Sequence, residues 1–159
     1  MSKNKITPFL WYDKEAEDAA KFYVSIFKNA KINQVARYPE GSPYEAGTVM
    51  TVAFELDGQH FTAINGGPHF KLDEAISFTV DCDGQAEVDH YWESLLAGGG
   101  TPSQCGWLKD RYGLSWQVTP KQLIELTTSS DKAQNNRVFA AMMKMSKIIV
   151  ADLERAAKA

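Results

Sequence analysis

Few side chains in this chain could do chemistry. Its three histidines are His60, His69 and His90, and its two cysteines are Cys82 and Cys105. His69 follows Gly66-Gly67-Pro68 and reads as a surface residue, or as a polar group at the mouth of a site. His90 sits one residue off an apolar helix stripe and is expected to face solvent. No G-x-S-x-G elbow places a nucleophilic serine beside a histidine and an acid. Cys105 lies between Gln104 and Gly106, and reads either as a small buried residue or as a thiol facing a site. Only Lys109 and Arg111 are near it in sequence to favour a thiolate, and both are expected at an exposed turn. The aromatic residues carry more information. Trp11, Phe54, Phe61, Trp107 and Trp116 fall on strands or strand ends, with Asn65, Asp110 and Gln117 close to them in sequence. Apolar walls with a few polar groups are the make-up of a small-molecule site. Packing is the competing reading for each aromatic, and a buried indole N–H needs a partner.

The elements that position these residues follow from periodicity. Residues 5–12 are β-branched and aromatic, a strand pattern. Ala16, Ala19, Ala20, Tyr23, Ile26 and Phe27 recur at helical spacing, with Asp13 as the expected cap. Strands are predicted over 31–38, 47–56 and 61–64, the last two joined at Asp57-Gly58, a hairpin signal. Asn65-Gly66-Gly67-Pro68 breaks the run. The order then restarts with a strand over 75–80 and a helix striped by Val88, Tyr91, Trp92, Leu95 and Leu96, with Asp83 as its expected cap. Gly98-Gly99-Gly100 ends that helix. Two short strands around 103–109 and a last strand over 114–118 follow. Thr119-Pro120-Lys121-Gln122 reads as a capping box before a short helix. The remainder is helical, interrupted at Ser129-Ser130-Asp131.

The chain has 159 residues and a formal charge of −3. That length suits one domain or two repeated units. The charge balance gives no footprint for nucleic acid and no polybasic membrane anchor. No apolar run approaches the roughly 18 residues of a spanning helix. Met1-Ser2-Lys3-Asn4-Lys5 is basic, but no apolar signal core follows it, so a cytoplasmic location is expected. Two cysteines outside any C-x-x-C exclude a disulfide scaffold and a four-cysteine zinc site.

A shift of 69 residues superposes Phe9 on Phe78, Tyr23 on Trp92, Ile26 on Leu95 and Phe27 on Leu96. Gly58-Gln59-His60-Phe61-Thr62 likewise matches Gly113-Leu114-Ser115-Trp116-Gln117. The pattern is that of a duplicated βαβββ module.

At these residues the chain resembles the vicinal-oxygen-chelate superfamily, the glyoxalase/bleomycin-resistance/dioxygenase fold, and within it the PhnB-like branch. Pro8-Phe9-Leu10-Trp11-Tyr12, Phe22-Tyr23 with Phe27, Asn65-Gly66-Gly67-Pro68, Glu87-Val88-Asp89 with Trp92, the run from Cys105 to Gln117, and Met142-Met143-Lys144-Met145 carry the resemblance. It implies an α+β fold: two βαβββ modules forming a curled mixed sheet around a cleft, plus C-terminal helices. The chain is then one domain over 1–159, with modules at about 5–67 and 75–128 and an extension over 129–159. The resemblance also implies a homodimer. Members often carry the label 3-demethylubiquinone 3-methyltransferase. The glycines at 98–100 follow a helix and form no G-x-G-x-x-G.

Catalytic members of the superfamily hold a divalent cation with side chains from the first and last strands of each module. The repeat puts those positions at Pro8, Thr62, Ser77 and Gln117. Only Gln117 is a ligand of the usual kind, because a divalent cation must recover its lost hydration from good donors. His60 lies two residues from Thr62 on the same strand face. No metal and no cofactor is therefore expected. The leading reading is a protein that binds a small hydrophobic or aromatic molecule in its cleft through Trp11, Phe54, Phe61, Asn65, Cys105, Trp107, Asp110, Trp116 and Gln117. The alternatives are an enzyme of the same fold (a metal-dependent lyase, isomerase or dioxygenase, or the methyltransferase of the label) and a structural dimer with a filled cleft.

Overall fold

A computed structural model describes residues 5–159. The basic start at Met1–Asn4 lies outside the described residues. The chain divides into two compact units, Met1–Leu72 and Asp73–Ala159. Among the described residues no helix is long and apolar enough to cross a membrane.

The first unit runs β1 (Phe9–Tyr12), α1 (Ala16–Ile26), β2 (Lys31–Arg37), β3 (Val49–Leu56) and β4 (Gln59–Asn65). Its sheet has the order β1-β4-β3-β2. β1 runs parallel to β4, and the other pairings are antiparallel. The β3–β4 hairpin turns at Asp57 and Gly58, both at positive φ (47° and 80°), as a tight two-residue hairpin requires. Strand alternation gives this sheet two unlike faces. Leu10, Tyr12, Val52, Phe54, Phe61 and Ala63 are buried on the α1 side. Phe54 stacks on Phe61 across the strands at 5.3 Å and on Tyr23 of α1 at 6.1 Å. Phe9, Trp11, Ala53, Thr62 and Ile64 alternate with these and occupy the other face, here called the open face.

The second unit repeats the order as β5 (Ser77–Cys82), α2 (Gln85–Leu96), β6 (Thr101–Pro102), β7 (Trp107–Lys109) and β8 (Ser115–Pro120), with sheet order β5-β8-β7-β6. Again the first strand runs parallel to the last. Each unit is thus a βαβββ module with a mixed four-stranded sheet, and the fold class is α+β. Val80, Cys82, Leu108, Trp116 and Val118 are buried on the α2 side. Burial, followed by the nearby Glu87 and Asp81 charges, pushes the Cys82 thiol up to about 12. The open face carries Ser77, Thr79, Trp107, Lys109, Ser115 and Gln117.

The register corrects the simple repeat. Phe9 pairs with Thr62 and Thr79 pairs with Gln117, so Phe9 corresponds to Thr79, a shift of 70. The helices keep the shift of 69, with buried Tyr23 answering buried Trp92. One residue fewer therefore separates strand from helix in the second module. A one-residue offset in a strand reverses the facing, and Phe78 accordingly lies on the helix side, against Trp116 at 5.8 Å.

Three expected caps are replaced. Gly84, not Asp83, stands at the N-cap of α2, and no side chain caps that helix. The backbone N–H of Ala16 donates to Asn65 Oδ1 (2.8 Å), so the end of β4, not Asp13, caps α1. Thr119 and Pro120 stay in β8, opposite Asp81 and Cys82, so the capping box at 119–122 does not form. The expected strand around residue 103 is displaced to Thr101–Pro102.

Three further helices follow: α3 (Lys121–Thr127), α4 (Lys132–Met142) and α5 (Val150–Lys158). Asp131 caps α4 by accepting from Gln134 N. Leu123, Val138, Ile148 and Leu153 form their shared core. Arg137 donates to the carbonyls of Ala156 and Ala157, which would otherwise be orphaned at the end of α5. A clasp ties this bundle to α2. Gln85 Oε1 accepts from Val150 N (2.8 Å), its Nε2 donates to Ile148 O (3.1 Å), and Lys147 pairs with Asp89 at 2.7 Å. Hydrogen bonds from Lys147 and then Gln85 hold the Asp89 carboxyl below its usual range. A depressed carboxyl contributes stability above its unfolded value, near 3.8, and loses it as pH falls through the lower folded value. Protection of the amides in 147–158, corrected for intrinsic exchange, should therefore fall on acidification through the Asp89 transition, before that of α1. Protection there that stays unchanged while Asp89 is protonated would show that the clasp contributes nothing.

Candidate functional site

The nine residues singled out from sequence separate by face. Phe54, Phe61 and Trp116 are buried against helices, at 1%, 5% and 2% exposure. Trp11, Trp107 and Gln117 lie on open faces. Asn65, Cys105 and Asp110 lie at strand ends and turns.

In the first unit Trp11 rests in a cradle made by the break after β4. Its Nε1 donates to Gly67 O (2.9 Å), and Phe70 meets it edge-on at 4.9 Å. A Cβ on Gly66 would stand 2.2 Å from the indole. Glycine is required at 66 because the ring occupies that space. Beside Trp11 the open face carries Phe9, 60% exposed. Gly66→Ala is expected to displace the indole and break its bond to Gly67, a loss of about 1 kcal/mol. The check is a red shift in tryptophan emission with reduced stability to urea. Unchanged emission would contradict the cradle.

Asn65 completes the strand end. Its Oδ1 caps α1, its Nδ2 donates to Val49 O (3.1 Å) and its carbonyl accepts from the Tyr38 hydroxyl. Next to it opens a cleft of about 660 Å³, walled by Tyr38, stacked on Tyr44 at 4.3 Å, and by Asp13, Glu17 and Pro68. The two tyrosines had no signal in the sequence beyond their places, Tyr38 at the end of the strand predicted over 31–38 and Tyr44 just after Pro43.

In the second unit the open face is ordered by register. Thr79, Gln117 and Trp107 form one cross-strand row, and Ser77, Ser115 and Lys109 the next. Gln117 Nε2 donates to Ser77 Oγ (2.9 Å). Trp107, Lys109, Ser115, Ser103 and Glu74 line a pocket of about 210 Å³. Lys109 is not at an exposed turn, as its sequence position suggested. It lies in β7, half-buried, with its ammonium 2.7 Å from Glu74. That hydrogen bond is the first cause holding the Glu74 carboxyl below its usual range. The alternation of Trp107 and Lys109 could have revealed their shared face, but nothing local pointed to Glu74.

Asp110 and Cys105 have structural partners. Asp110, buried, accepts from Tyr112 N (2.8 Å), Leu114 N (3.1 Å) and Trp116 Nε1 (2.9 Å). Cys105 is half-buried at a positive φ of 57°. Its N–H donates to Met145 O, and its sulfur lies 3.8 Å from Met143 Sδ.

A module repeated with its first strand parallel to its last and an open sheet face is the vicinal-oxygen-chelate arrangement. Residues 4–119 match the family model described as 3-demethylubiquinone-9 3-methyltransferase. The chain belongs to that family. This PhnB-like chain is 35% identical to a PhnB protein of Bacillus cereus that bears the same methyltransferase name. The match covers 74% of this chain and 99% of that one, with a TM-score of 0.67. More distant likenesses show the fold alone. A Pseudomonas aeruginosa protein is 18% identical over 74% of this chain and 98% of that one, TM-score 0.61. The fosfomycin resistance protein FosX of Listeria monocytogenes is 16% identical over 79% and 97%, TM-score 0.56. No curated protein is matched. Helices α3–α5 lie beyond the matched residues.

The superfamily's metal positions can now be compared with this PhnB-like chain. By register they are Phe9, Thr62, Thr79 and Gln117, with Pro8 and Ser77 beside them. Gln117 offers a single amide oxygen, its Nε2 donating to Ser77, and the rest are hydroxyls or carry no donor atom. Among the described residues no three His, Cys, Asp or Glu side chains come together. His60 Nε2 lies 3.9 Å from Glu55 Oε1. This donor set does not suit a divalent cation.

Proposed function

We propose that this PhnB-like protein binds a small hydrophobic or aromatic molecule on its open sheet faces without a catalytic metal. One observation carries the reading. Trp11 and Trp107 stand on those faces beside hydroxyls and a single amide, where catalytic relatives in the superfamily would need a set of strong ligands. Indole faces supply apolar area, and Gln117 and the threonines supply a few polar contacts, which is how small-molecule sites are built. Of the nine candidates, Trp11, Trp107 and Gln117 are the ligand contacts on this reading. Phe54, Phe61 and Trp116 stiffen the sheets from behind, and Asn65, Cys105 and Asp110 shape the rims. The chain then works as one domain, as a homodimer and in the cytoplasm. Nothing favours methyl transfer, since Gly98 and Gly99 end α2 at positive φ and do not open a helix.

Tryptophan quenching by neutral ring alcohols tests this on chelator-stripped protein. Saturable quenching that Trp107→Phe abolishes supports the reading. Quenching that appears only after a divalent metal is added would replace it with the enzyme reading.

A further inference from the structure

We infer that the second unit's pocket selects an anionic single-ring compound, an aryl carboxylate, whose acid group takes the place that Glu74 holds at Lys109 in the free protein. The inference rests on the binding function proposed above and names its ligand class. Trp107 and Lys109 are two residues apart on β7 and face the same side. Both bring donors to the pocket. The Trp107 indole N–H makes no hydrogen bond among the described residues, and the Lys109 ammonium meets Glu74 at 2.7 Å. A donor-lined pocket suits an acceptor-bearing, negatively charged ligand. At about 210 Å³ it falls below the roughly 300–1,000 Å³ of drug-sized sites, so it admits one ring and not a fused system.

Glu74 is placed as an internal competitor. Ser115 Oγ donates to Asp73 O (3.2 Å), and Ala75 N donates to Asp73 Oδ1 (2.9 Å). These bonds fix the chain on either side of Glu74 and hold its carboxylate at the pocket. The Glu74 side chain is nevertheless 61% exposed. An exposed ion pair contributes little. A ligand carboxylate that also lays its ring on Trp107 makes contacts that Glu74 does not make.

The test compares benzoate, benzyl alcohol and benzylammonium by tryptophan quenching of the full chain. Benzoate is expected to bind about tenfold more tightly than benzyl alcohol, the gain of one charge-assisted contact. Lys109→Met should erase that preference and leave benzyl alcohol unchanged, and Lys109→Arg should restore it. Glu74→Gln should strengthen benzoate about threefold without altering benzyl alcohol. All three variants change exposed or half-buried side chains, and circular dichroism confirms their fold. If benzyl alcohol binds as well as benzoate, or Glu74→Gln leaves benzoate unchanged, the inference is overturned while the binding function stands. If none of the three compounds binds, both fall.

Discussion

Asp110→Ala is expected to destabilise the protein by about 3 kcal/mol, lowering its melting temperature by about 6–12 °C. One carboxylate there serves three donors. Two are backbone N–H groups, of Tyr112 and Leu114, which fold the turn between β7 and β8. The third is the indole of Trp116, 2% exposed and packed on Phe78. Alanine removes a charged acceptor and leaves a buried N–H without its partner, which costs more than the average hydrogen bond contributes. Asp110→Asn keeps an acceptor and should lose about half as much. Thermal unfolding followed by Trp116 emission reads the effect. A loss under about 1 kcal/mol would mean that water or another group replaces the carboxylate.

Gly106→Ala should be as damaging, for a reason of backbone and not of charge. Gly106 adopts φ +83°, and a Cβ there would stand 2.8 Å from Val118 O and 3.1 Å from Ile148 Cγ1. Its N–H donates to Ser146 O and its carbonyl accepts from Val118 N, both at 2.8 Å. The residue thus joins β8 to the chain entering α5, with no space for a methyl group. A left-handed conformation costs an alanine about 1–2 kcal/mol. Relieving the contact with a carbonyl requires the strand to shift, for a total of about 3–4 kcal/mol. Urea unfolding should show the loss, and proteolysis should cut between α4 and α5 first. A variant as stable as the parent would mean that the 105–106 junction is more yielding than these distances imply.

Much of this was legible in the sequence, and the rest fails for physical reasons. Periodicity located both modules, since Ala19, Tyr23 and Ile26 recur at helical spacing and Val52, Phe54 and Leu56 alternate. Asp57-Gly58 stated its own hairpin. Facing was harder, because the residue missing between β5 and α2 is silent in a helix alignment yet reverses a strand. Phe9 and Phe78 matched by position and lie on opposite faces. Long-range partners left no local trace. Asn65 caps α1 from the far end of the sheet, and Glu74 reaches Lys109 from a loop. Asp110 read as a cleft group because it lies close in sequence to Trp107 and Trp116, whereas its oxygens accept from a turn and an indole. Pro120 read as a helix start because its φ suits one, but strand pairing retains it.

On the proposed function, the open faces take a small ring compound without a metal. The most direct measurement follows the indole N–H resonances of the four tryptophans in chelator-stripped, isotopically labelled protein as benzyl alcohol and benzoate are added. The Trp107 signal is expected to shift and saturate, Trp11 to respond where the first unit also binds, and buried Trp92 and Trp116 to stay in place. Added Mn²⁺ or Zn²⁺ should change none of this. Stationary Trp11 and Trp107 signals until a metal is supplied, together with stoichiometric metal uptake, would contradict it.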